Sequence, residues 1–474
     1  MKKFLYALAF TIILVVNGFR FYNLENIPYG FQVDELGSAV TIQCLATEGV
    51  DATGARYPVF SYTHFGTPKP ATYIYPGALW TKLFGFSIGS FRGLTAFFFI
   101  FGLLGLFLLC RLLIDRRYAF LVIFLASLSP WAWMFSRLSV ESLLSPVYLI
   151  WGLYFFFRKE QWYNFLLAGI FLTFATYTYP PTRAQLPLMI LPLLLFRRHF
   201  KGLRLSSMAI FIATLAVMSL PLIIRTLDHS LQERFNQISI FAPDYLKSIG
   251  KTNSLQDLLG IFISNYLLHF DFRFLFLTGD QSLMHSTQHF GELSWIDDLG
   301  LILMLLYAGL FLFKAPVEFL KKDKALLLFF VINILIGILP AAFTQSNYGL
   351  PHALRTIGAW PFVEMTSAYF IYRACEQWKY SFLIVLILGA FFITSFLKIY
   401  FGTYVQESQG QFSPWDKIIA KSAKTEEDWI KFVYILYPQD YTVRYYLMNY
   451  HKDSCTESEI RWEKIRNFAI TQQH

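Results

Sequence analysis

Charge is what this sequence has least of. Asp, Glu, Lys and Arg make up 15% of its 474 residues, where a soluble domain carries about 25%. That shortfall excludes an ordinary water-soluble globule. Cysteine is scarce as well, and four residues do not make a disulfide-dense scaffold. Cys110 falls at the end of an apolar run and Cys375 in a basic loop. Cys44 and Cys455 both lie on what the charge pattern makes the outer side, yet nothing in the sequence pairs them, and a bridge between them is not expected. No internal repeat, heptad run or low-complexity tract stands out. The N-terminal Lys2 and Lys3 followed by Phe4–Val16 resemble a secretion signal but lack a small-residue cleavage site, so this segment is expected to remain as a first span.

Apolar surface is what the chain has in abundance. Hydrophobic residues reach 55%, with 51 Phe and 28 Tyr, and the mean hydropathy is +0.45. One globular core stops growing at roughly 250–300 residues, so this much apolar side chain needs lipid as its solvent. The formal net charge of +9 does not require a nucleic-acid partner, because basic cytoplasmic loops of a membrane protein account for it.

A membrane span needs about 20 mostly apolar residues. About eleven stretches qualify, near residues 4–22, 93–112, 118–135, 143–157, 162–178, 185–196, 205–224, 297–313, 325–343, 357–372 and 381–400. Alternate short loops carry about 17 Lys and Arg, while the others carry about three, Arg137, Arg183 and Arg355. That asymmetry puts the N-terminus in the cytoplasm and, with an odd number of spans, the C-terminus outside. The expected fold is all-α and polytopic, with about eleven transmembrane helices and long extracytoplasmic loops at 23–91 and 225–296. A transmembrane domain over 1–400 is followed by a small α+β extracytoplasmic domain over 401–474, with helices at Trp415–Ala423 and Tyr441–Tyr450 and a strand at Trp429–Leu436.

Several polar groups lie on the expected outer face. The first outer loop opens Pro28-Tyr29-Gly30-Phe31-Gln32-Val33-Asp34-Glu35. Acidic residues in a helix's first turn complement its dipole, which is the plain reading of that pair. Downstream come Phe65-Gly66-Thr67-Pro68-Lys69-Pro70, then Phe84-Gly85-Phe86-Ser87, then Phe91-Arg92 at the head of the second span. Later outer loops hold Arg137-Leu138-Ser139-Val140-Glu141 and Tyr177-Thr178-Tyr179-Pro180-Pro181-Thr182-Arg183. The plain reading of Lys69, Arg137 and Arg183 is anchoring to lipid phosphates.

In order and membrane side these motifs resemble the GT-C glycosyltransferases, in particular the group of protein O-mannosyltransferases and lipid A aminoarabinose transferases. The resemblance covers about residues 1–360 and leaves the tail outside it. It implies an inverting enzyme that moves a monosaccharide from a polyprenyl-phosphate donor to a lipid, glycan or protein acceptor, with Asp34 as base and Glu35 assisting. A positioned carboxylate can take the acceptor's proton, and cations offset the charge that builds on a phosphate leaving group. Lys69, Arg183, His352 and Arg355 are the expected donor-phosphate groups. His352 and Arg355 sit three apart at a span mouth, where interfacial anchoring is the competing reading.

Arg137, Glu141, Tyr179, Asp280 and His285 are expected to line the substrate cleft, the last two because long loops over a membrane protein often cover its site. His285 and His289 have the i, i+4 spacing of a metal pair, but no HExxH-type Glu stands between them. No metal ligand is assigned, and a divalent metal at the base remains open. Two other classes compete: a polysaccharide polymerase or ligase, which would place its key residues in a late loop, and a transporter. Coupled transporters hold ionisable groups at mid-membrane, often in repeated halves, and this chain has neither feature. The expected location is the plasma (inner) membrane.

Overall fold

In the computed structural model the described residues are 2–61, 69–227, 233–312, 320, 322–345, 349–378, 380–412, 425, 428, 440–450 and 452–471. Most are helical. The sheet among them is one antiparallel ladder of β1 (Phe60–Ser61) and β2 (Lys69–Pro70), which pairs Ser61 with Lys69.

A helix occupies every one of the eleven apolar stretches, beginning with α1 (Lys2–Phe19) and ending with Ser381–Phe401. Eleven spans are not established, however. Among the described residues, five helices are long and apolar enough to cross a membrane: Ile88–Leu113 (α4), Leu205–Leu227, Leu255–Leu277, Lys324–Ala342 and Ser381–Gly410. The pair Arg116–Leu128 and Pro130–Ser136, bent by 63°, makes a sixth if it counts as one span. Four of the remaining stretches fall short for visible reasons. Leu144–Phe157 and Trp162–Thr178 have 14 and 17 residues, fewer than the about 20 a span requires. Pro180–Lys201 includes Arg183, Arg197, Arg198 and Lys201, and Trp360–Gln377 includes Glu364, Arg373 and Glu376. Leu255–Leu277 lies inside the expected outer loop 225–296. It is the least apolar of the five, which is why its apolar run is hard to tell from an amphipathic loop.

The chain packs as two units. The first comprises Met1–Arg20, Phe98–Phe135 and Ser142–Tyr400. Within it Trp295–Leu312 packs on Trp360–Gln377, and Lys324–Ala342 on Pro180–Lys201. Glycine allows close approach between segments of this unit. A Cβ at Gly300 would lie 2.3 Å from Ser367 Oγ and 2.6 Å from that residue's carbonyl oxygen, and one at Gly337 would lie 2.8 Å from Ala359 Cα. Small residues at such crossings are how apolar helices gain contact without a solvent-driven force between them.

The second unit comprises Phe21–Phe97, Ser136–Glu141 and Phe401–His474. Here α2 (Val33–Glu48) packs against α3 (Ala71–Phe84) and against two tail helices, Asp440–Tyr450 and Cys455–Thr471. The tail therefore groups with the first loop, which differs from a separate domain starting at residue 401. Two features explain the grouping. Cys44 in α2 is disulfide-bonded to Cys455, with Cα atoms 5.0 Å apart, which corrects the expectation that they stay apart. Buried Arg444 donates to the Ala52 carbonyl at 2.7 Å and to the Cys455 carbonyl at 3.4 Å. Sequence reasoning could not pair two cysteines 411 positions apart. The helix expected at Tyr441–Tyr450 is present as Asp440–Tyr450, while Trp415–Ala423 and Trp429–Leu436 lie outside the described residues.

Candidate active site

The second unit gathers its polar groups around the start of α2. Asp34 and Glu35 both occupy the first helical turn, yet they face opposite ways. Glu35 is fully buried. Its Oε1 accepts from Ser139 N at 2.7 Å and Arg92 Nε at 3.0 Å, and its Oε2 from Arg92 Nη2 at 2.9 Å and Gln32 N at 3.0 Å. Arg92, equally buried, also donates to the carbonyls of Leu24, Pro28 and Gly30 at 3.0, 2.9 and 2.6 Å. This pair fixes the loop 24–35 onto the head of α4. Sequence reasoning noted Arg92 only as a span-end arginine, because its partner lies 57 residues away.

Asp34 points outward, its side chain 58% exposed, and Lys69 Nζ stands 3.6 Å from its Oδ1. The same ammonium lies 3.5 Å from Glu141 Oε2 and is itself only 4% exposed. Burial lowers the Lys69 pKa, but Glu141 and then Asp34 raise it by more, so the net shift is upward. Lys69 thus keeps its charge between two carboxylates. Ser139 extends the cluster, its Oγ 2.7 Å from the hydroxyl of Tyr73 in α3. Arg137, expected in a cleft, is buried, and its Nη2 donates to the carbonyls of Tyr22 and Ile27 at 2.9 and 3.0 Å. A guanidinium engaged with backbone in this way works as a brace. Phe65–Pro68 of the same loop lie outside the described residues.

The first unit holds the other expected residues. Tyr179 separates Trp162–Thr178 from Pro180–Lys201, and Arg183 Nε donates back to the Thr176 carbonyl at 3.2 Å. Arg355 Nη1 donates to Thr344 Oγ1 and to the Gln345 carbonyl, each at 2.7 Å. Asp280, His285 and His352 come together. His285 Nδ1 lies 3.2 Å and His352 Nδ1 3.6 Å from Asp280 Oδ2. Burial opposes ionisation of Asp280, but His285 and His352 outweigh it and hold the carboxyl at about 2. Burial, then His285 and Arg355, push His352 well below its ordinary value.

His285 therefore partners His352 rather than the sequence neighbour His289. Sequence reasoning missed two supports here. His269 Nε2 accepts from His352 N at 3.2 Å, and buried Glu292 accepts from Asp280 N at 2.9 Å. Burial, then Asp280, raise Glu292 well above the usual carboxylate range.

The fold is similar to that of an archaeal oligosaccharyltransferase. The oligosaccharyltransferase of Archaeoglobus fulgidus in its apo form aligns with a TM-score of 0.50 at 14% identity, over 92% of this chain and 60% of that one. The same archaeal protein, AglB, in complex with an inhibitory peptide and a dolichol-phosphate, aligns with a TM-score of 0.50 at 15% identity, again over 92% and 60%. ArnT from Cupriavidus metallidurans bound to undecaprenyl phosphate aligns with a TM-score of 0.48 at 13% identity, over 97% of this chain and 74% of that one. The chain thus spans 60% of the length of the archaeal protein. No family model matches the sequence, and no curated protein matches it. At these identities the likeness carries the fold and nothing finer.

Proposed function

We propose that this chain is an integral membrane glycosyltransferase. It transfers a monosaccharide from a polyprenyl-phosphate-linked donor to a lipid, glycan or protein acceptor on the extracytoplasmic face of the inner membrane, with inversion. The observation that carries this reading is the exposed Asp34 carboxylate, held at the head of α2 beside a buried, charged lysine. It is set on a fold shared with an oligosaccharyltransferase that binds dolichol-phosphate.

Asp34 accepts the acceptor's hydroxyl proton as that oxygen attacks the anomeric carbon. The bond to the donor phosphate breaks and polyprenyl phosphate leaves. Lys69 orients Asp34 and offsets the negative charge gathered around it. Glu35 does not touch substrate in this scheme and serves to position its neighbour. Arg355 is assigned to the donor phosphate, and Arg183 and Tyr179 to the lining of the first unit's outer end. The N-terminus is cytoplasmic and the C-terminus extracytoplasmic. A disulfide between the first loop and the tail supports that orientation, because such bonds persist in oxidising compartments.

The test is sugar release from a panel of radiolabelled polyprenyl-phosphate-sugars by the purified full chain, with Asp34→Asn alongside. Turnover of one donor is expected, reduced about 100- to 10,000-fold in the variant. An Asp34→Asn protein with the wild-type rate would remove Asp34 as base. Failure to consume any donor that binds would overturn the transferase reading.

A further inference from the structure

We infer that Asp280, His285 and His352 form a binding site for a divalent first-row metal, of which Zn²⁺ fits best. The inference stands on the first unit alone and does not rest on the transferase reading.

All three side chains are nine-tenths or more buried. Their ligand-capable atoms lie within 4.8 Å of one another. Both imidazoles turn Nδ1 toward the same carboxylate oxygen, at 3.2 and 3.6 Å, and the rings lie 4.8 Å apart between centroids. In a tetrahedral zinc site with bonds of about 2.0–2.1 Å, neighbouring ligand atoms are about 3.3–3.4 Å apart. The two observed separations bracket that edge.

A simple hydrogen-bonded triad is the competing account, and it leaves one atom over. His285 Nδ1 can donate to Asp280 Oδ2 at 3.2 Å, but His352 Nδ1 makes no hydrogen bond although it is buried. An orphaned buried nitrogen costs free energy unless something meets it. A cation between the three groups meets it and uses the lone pairs that both rings present.

The surroundings hold these ligands in place before any ion arrives. Asp280 Oδ1 accepts from Ser282 N at 2.8 Å, and Oδ2 from Ala353 N at 2.7 Å. His352 N donates to His269 Nε2 at 3.2 Å, and the His269 Nδ1–H is in turn directed at the Asn265 carbonyl at 2.8 Å. Such outer contacts orient metal ligands and tune their affinity. Two imidazoles and one carboxylate suit zinc and its neighbours in the first row, whereas Ca²⁺ and Mg²⁺ take oxygen ligands. Three protein ligands leave a fourth position for water or a substrate oxygen.

The full chain, purified in detergent and stripped with a chelator, is equilibrated with Zn²⁺ alone, and its metal content is measured after desalting. One equivalent per chain is expected. His352→Ala, His285→Ala and Asp280→Asn are expected to fall to background, while His289→Ala keeps the full equivalent. Retention of zinc by His352→Ala would overturn the site, as would its loss in His289→Ala. The second measurement uses Co²⁺ with the unmutated chain, so that it does not depend on a variant folding. The intense visible absorption of tetrahedral Co²⁺ is expected, and its absence would overturn the assignment.

Discussion

Two adjacent carboxylates in α2 meet opposite environments, and the difference decides what each can do. Glu35 is enclosed by Arg92, Ser139 N and Gln32 N, so its charge is neutralised and its oxygens are fully engaged. Removing one partner of such a pair strands the other charge in a dry interior at a cost of about 3–5 kcal/mol. Glu35→Gln is therefore expected to lower the melting temperature of the detergent-purified protein sharply. Asp34→Asn, at an exposed position and with Glu141 still paired to Lys69, should lower the melting temperature much less while reducing turnover about 100- to 10,000-fold. Parallel thermal unfolding of the two variants checks this contrast. The sequence singled out the pair but could not separate the two roles, because helical turn position alone treats them alike. Arg92, which makes the distinction, arrives from 57 residues downstream.

At the scale of elements, apolar run length was the legible signal. Each apolar stretch folds as a helix because backbone groups in an apolar medium must bond within their own segment. What run length does not convey is how closely two helices approach. Two glycines of one helix, Trp295–Leu312, illustrate this. A Cβ at Gly300 would collide with Ser367 backbone and side chain, whereas one at Gly309 meets nothing within 4 Å. Gly300→Ala is expected to cost about 1–3 kcal/mol through overpacking. Gly309→Ala should be neutral or stabilise by up to about 1 kcal/mol from helix propensity. Melting temperatures of the two variants in the same detergent provide the measurement. The β1–β2 ladder, with two residues per strand, was likewise invisible to periodicity, which needs longer runs. The cluster of Asp280, His285 and His352 was half legible, since the first two are five residues apart and the third comes from another loop.

For the molecule as a whole, the tail's association with the first loop has a covalent basis. Breaking the Cys44–Cys455 bond, with reductant or in Cys44→Ser, is expected to cost about 2–4 kcal/mol. The cost would appear as a lower melting temperature and a mobility shift between reducing and non-reducing gels. An unchanged mobility would mean that the two thiols are not joined in the purified protein. The same bond also has a bearing on how the protein is made. Its halves are 411 residues apart, so Cys44 emerges early in synthesis and waits for a mate that is translated only after all the intervening helices. The linkage is in effect a receipt for finished insertion. In a nascent chain stalled before Cys455, the Cys44 thiol has no partner for this bond.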